Sequence, residues 1–174
     1  AWGVAGASLQ REIQDVRITG RALVEVPVET PDDSRFVQGT IDARIDFPTV
    51  RDHVFRFEAH ALITGGDIAP AQRFSYLGGS GTLPTMELLS MGGDQLLFLE
   101  SRYTIPVEQI GPLWRFGSPS ISLRHMIGSA GVDRLPGFVN NIGVRIALSL
   151  FKADFTIDPE SRDTDVSIGL SFSR

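Results

Sequence analysis

The sequence predicts an all-β chain, an antiparallel transmembrane β-barrel with eight or nine strands in its 174 residues. Three observations carry that expectation. Apolar and polar residues alternate with period two over runs of about ten residues or more. No longer stretch keeps a helical period. The charges of neighbouring runs gather on one face, and the other face is apolar. Strands of that length exceed the five or six residues usual in water-soluble sheets and match a tilted span of a thin membrane.

The first run alternates Val16, Ile18, Gly20, Ala22, Val24, Val26 and Val28 against Arg17, Thr19, Arg21 and Glu25, with Leu23 the apolar intruder on the polar side. The second sets Val37, Gly39, Ile41, Ala43, Ile45 and Phe47 against Gln38, Thr40, Asp42, Arg44 and Asp46. A third opposes Phe55, Phe57, Ala59, Ala61 and Ile63 to Arg56, Glu58 and His60. Pro31 to Ser34 and Gly65 to Asp67 punctuate these runs as turns or loops.

Beyond residue 95 the habit repeats. Leu97, Leu99, Ser101, Tyr103, Ile105 and Val107 oppose Glu100, Arg102 and Thr104. Ile121, Leu123, His125 and Ile127 oppose Ser122, Arg124 and Met126. Val144, Ile146, Leu148 and Leu150 oppose Arg145 and Ser149, and the phase slips at Phe151 and Lys152, a bulge in one long strand or a tight turn between two. Ala153, Phe155 and Ile157 follow, and the last run is Val166, Ile168, Leu170 and Phe172. Segment 1–13 is weakly patterned. It either supplies an eighth strand that pairs with 166–172 or marks where other strands join.

One long stretch has no period. Residues 65–93 hold Gly65, Gly66, Gly78, Gly79, Gly81, Gly92 and Gly93 and read as a long extracellular loop. Loops of that length inside a compact domain are most often functional.

Composition narrows the classes further. The length favours one domain, spanning 1–174. A mean hydropathy of +0.04 and 42% hydrophobic residues are too apolar for a disordered chain. No segment holds 18 consecutive apolar residues, so no transmembrane helix is expected. A net charge of -5 argues against a nucleic-acid partner. There is no cysteine, hence no disulfide or thiolate chemistry.

Alternation alone does not separate a soluble sandwich from a membrane barrel. The clean apolar faces do, because one Arg or Lys facing lipid near the midplane costs about 2–4 kcal/mol. His125 is the ionisable residue that breaks the pattern. Strands in lipid also cannot leave an edge unpaired. They therefore close alone as a small filled barrel or join other strands.

The residues from Phe74 to Met86, with Leu77, Gly78, Gly79, Gly81, Thr82 and Leu83 in order, and those from Gly93 to Pro106 resemble the late barrel region of the bacterial surface-antigen, or outer-membrane protein 85, superfamily. There a Leu-Gly-Gly-x-Gly-Thr-Leu-Arg-Gly-aromatic segment lies in a long loop that folds back into the barrel. A strand with landmarks like Glu100, Arg102 and Pro106 follows. The run 166–172 is similar to the family's last strand, which ends in an aromatic, although Ser173 and Arg174 follow Phe172 here.

The resemblance implies that the chain is the last eight or nine strands of a larger sixteen-stranded barrel, without the family's soluble repeats. It implies insertion or translocation of proteins at the outer membrane of a Gram-negative type bacterium. The implied partners are membrane lipids, including the outer leaflet, and other protein chains or missing N-terminal strands. The loop motif would be Gly78, Gly79, Gly81, Leu83, Pro84, Thr85 and Met86. Pro84 stands where the family has an Arg that reaches an Asp on the following strand pair, and 113–124, where that Asp would fall, has no carboxylate. Losing both members of a buried pair can be nearly neutral. The alternative functions are a scaffold barrel that holds partner proteins, or a small pore.

No enzyme, cofactor or metal is expected. His53, His60 and His125 are scattered and lack metal-ligand spacing. His60 reads as a solvated or hydrogen-bonded interior residue beside Glu58 and Arg56, His53 as the interfacial start of a strand, and His125 as lying near a strand end. Asp67, Asp94 and Asp133 read as solvated loop acids. The glycine-rich loop lacks the strand, helix and Lys of a phosphate loop. The lumen-facing set is Arg21, Asp42, Arg44, Arg56, Glu58, Glu100, Arg102 and Arg124, accompanied by Arg17, Glu25, Asp46 and Arg145.

Overall fold

The structure, a computed structural model, describes residues 2–27, 35–107, 119–148 and 151–170. Its strands are β1 (Trp2–Ile13), β2 (Val16–Pro27), β3 (Phe36–Pro48), β4 (Val54–Gly66), β5 (Ser75–Leu77), β6 (Met91–Gly93), β7 (Gln95–Pro106), β8 (Ser120–Gly131), β9 (Val139–Leu148), β10 (Phe151–Ile157) and β11 (Thr164–Leu170). Nine of them form one antiparallel sheet in the order β1-β2-β3-β4-β7-β8-β9-β10-β11, and β5 and β6 form a two-stranded sheet. The helical content of the described residues is two short 3-10 turns.

Each long strand follows from its alternation, and the registers show which residues share a face. Arg21 lies opposite Asp42, Asp42 opposite His60, and His60 opposite Phe98. Directly paired residues point to the same side. The charged runs therefore fall into rows across one face, and Ile41, Ile63, Leu123, Ile146 and Ile168 point to the other.

Three alternatives left open by the sequence are resolved among the described residues, and one expectation, the start of the loop, changes. Residues 2–13 form a full strand, β1, paired along its length with β2. Its weak pattern reflects its place at the sheet's edge, where it has one neighbour and its described residues are exposed. Phe151 pairs with Leu148, so the phase slip marks two strands rather than one bulged strand. Gly65 and Gly66 end β4 instead of starting the loop, because they pair with Val37 and Phe36. Among the described residues β1 does not pair with the last strand, β11. Eight antiparallel steps separate β1 from β11, so these two edges run in the same direction. Among the described residues the sheet is not closed. Leu150, Phe172 and residues 31–34 and 113–118 lie outside the described residues.

The connections differ at the two ends of the sheet. At one end β1 turns into β2 through Gln14 and Asp15, both at positive φ (47° and 69°), which matches the twist of a two-residue hairpin. The same end holds the turn 49–53. The other end carries 67–94, 132–138 and 158–163. The segment 67–94 folds back over one face of the sheet. There Leu62, Leu77, Leu83, Leu96, Phe98, Met126 and Ala130 form the buried cluster, with Met86, Met91 and Val139 packed against it.

Candidate functional site on the loop-bearing face

The loop is braced before it touches the sheet. Gly78 N donates to Thr82 Oγ1 at 2.9 Å, Gly79 N to Met86 O at 3.0 Å, and Met86 N to Leu83 O at 3.0 Å. The last bond closes a turn whose second residue is Pro84, where its fixed φ is favourable. Gly78 has φ +116, and a Cβ there would overlap the Glu87 carbonyl. Gly81 has open space around it and ordinary backbone, so the motif's third glycine is not sterically required.

The resemblance puts an Arg at Pro84; the structure puts a buried proline there that shapes the turn. Its neighbour makes the contact. Thr85 N and Oγ1 each lie 3.1 Å from Asn141 Oδ1, and Asn141 Nδ2 donates to Thr85 Oγ1 at 2.8 Å and to Asn140 O at 2.8 Å. Asn141 is fully buried on β9. A neutral, reciprocally bonded pair thus fastens the loop to the sheet. Sequence reading missed it, because two adjacent Asn residues at the start of an alternating strand carry no spacing signal.

Below the loop, charges fill the same face in two groups. On β7 to β10, Glu100 accepts from Arg124 Nε at 2.8 Å and from Arg102 Nη2 at 2.6 Å. Asp154 accepts from Arg145 Nε at 2.5 Å and stands 3.5 Å from Arg124 Nη1. Three guanidiniums share two carboxylates here, and the Arg124 and Glu100 side chains are 3% and 5% exposed. On β3 and β4, Asp46 accepts from Arg56 Nε at 2.6 Å and from Arg44 Nε at 2.9 Å, and Glu58 lies 3.6 Å from Arg44. That group is wetter, with Arg44 at 42% and Glu58 at 33%.

The registers explain why many pairs run along a strand. Arg56, Arg102 and Arg124 lie in one row, and Glu58 and Glu100 directly face each other in the next. Like charges opposite one another repel. Bonds from Arg102 to Glu100 and from Arg44 to Asp46, two residues away on the same strand, offset that repulsion.

Arg21, Asp42 and His60 form a further row. His60 Nδ1 and Asp42 Oδ1 are 2.6 Å apart. These residues line a cavity of about 360 Å³ with Thr19, Arg44, Glu58 and Phe98. A second cavity, about 260 Å³, shares Arg44 and continues past Asp46 and Arg56 to Asp15 and Pro48 at the turn end. All eight residues of the lumen-facing set thus share one face.

Other candidates sit elsewhere. His125 is mid-strand on the opposite face, between Ser101 and Ile142, not near a strand end. Arg11, opposite Ile18 near the turn end of β1, is a second ionisable residue on that face. His53 precedes β4, and its Nδ1 lies 2.8 Å from Tyr103 Oη. Asp94 is no solvated loop acid: it is buried and accepts from Ala69 N at 3.2 Å and Asp133 N at 2.8 Å, tying two loops together. Asp67 accepts from Arg35 N at 2.7 Å. Among the described residues no three His, Asp or Glu side chains could hold a metal ion.

Comparison with protein-family models, with curated proteins and with solved structures returned no match.

Proposed function

We propose that this chain is a barrel portion embedded in the outer membrane of a Gram-negative type bacterium, with lipid on the face opposite the loop. The observation that carries the reading is the chemistry of that face. Large apolar side chains stand exposed on every long strand but β7, among them Ile41 at 48% and Ile168 at 81%. Single exposed apolar residues are ordinary, but water-soluble monomers rarely show a continuous apolar patch beyond a few hundred Å². The longest connection, 67–94, lies at one end of the sheet. At the other the β1–β2 and β3–β4 turns are short, as in membrane barrels, while β7 and β8 are joined there by the longer stretch 107–119. In lipid its edges, β1 and β11, need further strands, because the exposed backbone groups would otherwise go unsatisfied.

Within that setting we assign the chain to insertion or translocation of proteins, in the manner of the surface-antigen superfamily that its loop resembles. A loop folded onto the charged interior face supports this assignment. The buried loop-to-sheet packing also supports a second reading, a closed scaffold barrel that holds partner proteins. Fractionation after expression with an outer-membrane leader tests the location: the chain should stay in the outer-membrane fraction after extraction with urea, and release as a soluble protein would overturn it. Proteoliposomes containing the chain then separate the two functions. Faster folding of an added, unfolded outer-membrane protein supports insertion, and an unchanged rate supports the scaffold.

A further inference from the structure

The face opposite the loop holds a polar pair in its middle. His125 of β8 lies directly opposite Ser101 of β7, so the two side chains stand next to each other on that face. Each sits near the middle of a twelve-residue strand. Their row continues to Phe57 on one side and Ile142 on the other, both apolar. Along the strands, Leu99 and Tyr103 flank Ser101, and Leu123 and Ile127 flank His125. Neither His125 nor Ser101 has a side-chain hydrogen bond or ion pair among the described residues.

In water both groups would simply be hydrated. In lipid they lack a partner, and ionisable residues in membrane spans almost always face a protein interior or pair with other polar groups. The surface around the pair has matching relief. On β8 His125 and Leu123 are exposed, and on β9 Ile142, Val144 and Ile146 are exposed beside them, which makes a ridge. On β7 the residues of the same face, Leu97, Leu99, Ser101 and Tyr103, are all half-buried, so that strand lies lower, as a shallow furrow.

We propose that this patch is where a second copy of the chain docks, side by side in the membrane, with His125 of each copy bonded to Ser101 of the other. The contact rests on the reading that lipid covers this face. Chemistry favours a second copy over other occupants. A lipid tail offers neither donor nor acceptor, and headgroups lie away from the middle of a spanning strand. A neutral imidazole carries one donor and one acceptor, and a hydroxyl carries both, so the pair complements itself. The same face of β4, β7, β8 and β9 holds no Asp, Glu, Lys or Arg, so two copies bring no like carboxylates or guanidiniums together.

Geometry points the same way. Two copies inserted in one orientation are related by a two-fold axis along the membrane normal, which keeps every residue at its own depth. His125 and Ser101 are one strand spacing apart, about 4.8 Å. An axis passing between them therefore sets His125 against Ser101 twice, as an isologous contact requires. The same axis lays the β8 ridge of each copy in the β7 furrow of the other.

The test uses the full chain, which has no native cysteine, so each crosslink site is chosen. Leu99 lies on β7 inside the patch, and Ile168 lies on β11 outside it, although it is 81% exposed. In dilute lipid vesicles, oxidation should give a disulfide-linked dimer several-fold faster with Leu99→Cys than with Ile168→Cys. Adding His125→Leu, an ordinary lipid-facing residue, should bring the Leu99→Cys rate down to that of Ile168→Cys, and Ser101→Ala should lower it in the same direction. Equal rates at the two positions, or a Leu99→Cys rate that ignores both substitutions, overturn the contact. An adduct of Leu99→Cys with a different protein, formed in outer membranes in place of the dimer, overturns the second copy as the occupant. Release of the chain from the vesicles by urea overturns the membrane reading and this contact with it, whereas an inserted chain without the dimer overturns the contact alone.

Discussion

The loop-bearing face is two surfaces built from the same residue types. On β7 to β9 the loop lies close, Leu83 and Met126 are fully buried, and the Glu100–Arg124 pair is almost dry. On β2 to β4 the same arginines and carboxylates line open cavities and keep a third or more of several side chains in water. The difference teaches that charge on this face has no single energetic meaning. Under the loop a guanidinium depends on its carboxylate, because water cannot replace that partner. In the open half water can.

Substitutions can sharpen that contrast or break it, and the largest effect belongs to the dry half. Glu100→Ala leaves Arg124 buried with a partner missing and should lower stability by about 3–5 kcal/mol. Adding Arg124→Leu to it should recover much of that loss, since apolar replacement of a whole buried pair is often near neutral. Denaturant unfolding of the two variants checks this, and a double variant no better than the single would place the loss elsewhere.

Leu83→Ala should cost about 2–5 kcal/mol, as for other fully buried leucines, since its side chain joins the loop to Leu62, Leu96 and Met126. A cost near zero in the same unfolding measurement would mean that the loop does not contribute to the core. Asn141→Leu removes the neutral anchor and strands the Thr85 N–H, for about 1–3 kcal/mol. Amide exchange at Thr85 should rise accordingly. The smallest effect belongs to the wet half: Glu58→Ala should change stability by about 1 kcal/mol or less. If it matched Glu100→Ala, the contrast between the halves would be lost.

Much of the sheet was legible because period-two alternation fixes a face once the register is known. Arg44, Arg56, Glu100 and Arg124 share a face as their runs imply. Edge strand β1 was harder to read, since a strand with one neighbour needs no strict pattern. The turn after Leu148 was blurred because consecutive apolar residues flank it. The loop's glycines announced its bends, but its anchor did not show. Asn141 is defined by what folds onto it from 56 residues away, a relation no local pattern encodes. The burial of Asp94 was hidden for the same reason: its partners Ala69 and Asp133 come from two separate loops.

The central claim is that lipid covers one face of the sheet and the loop and charged rows occupy the other. Spin labels at Ile41 and at Arg44, three residues apart on β3, test it most directly once the chain is reconstituted in lipid vesicles. The reading predicts that the Ile41 label is relaxed by oxygen and shielded from a water-soluble nickel complex, with the opposite response at Arg44. A dry label at Arg44 beside a water-exposed one at Ile41, or equal exposure to nickel at both, would contradict it.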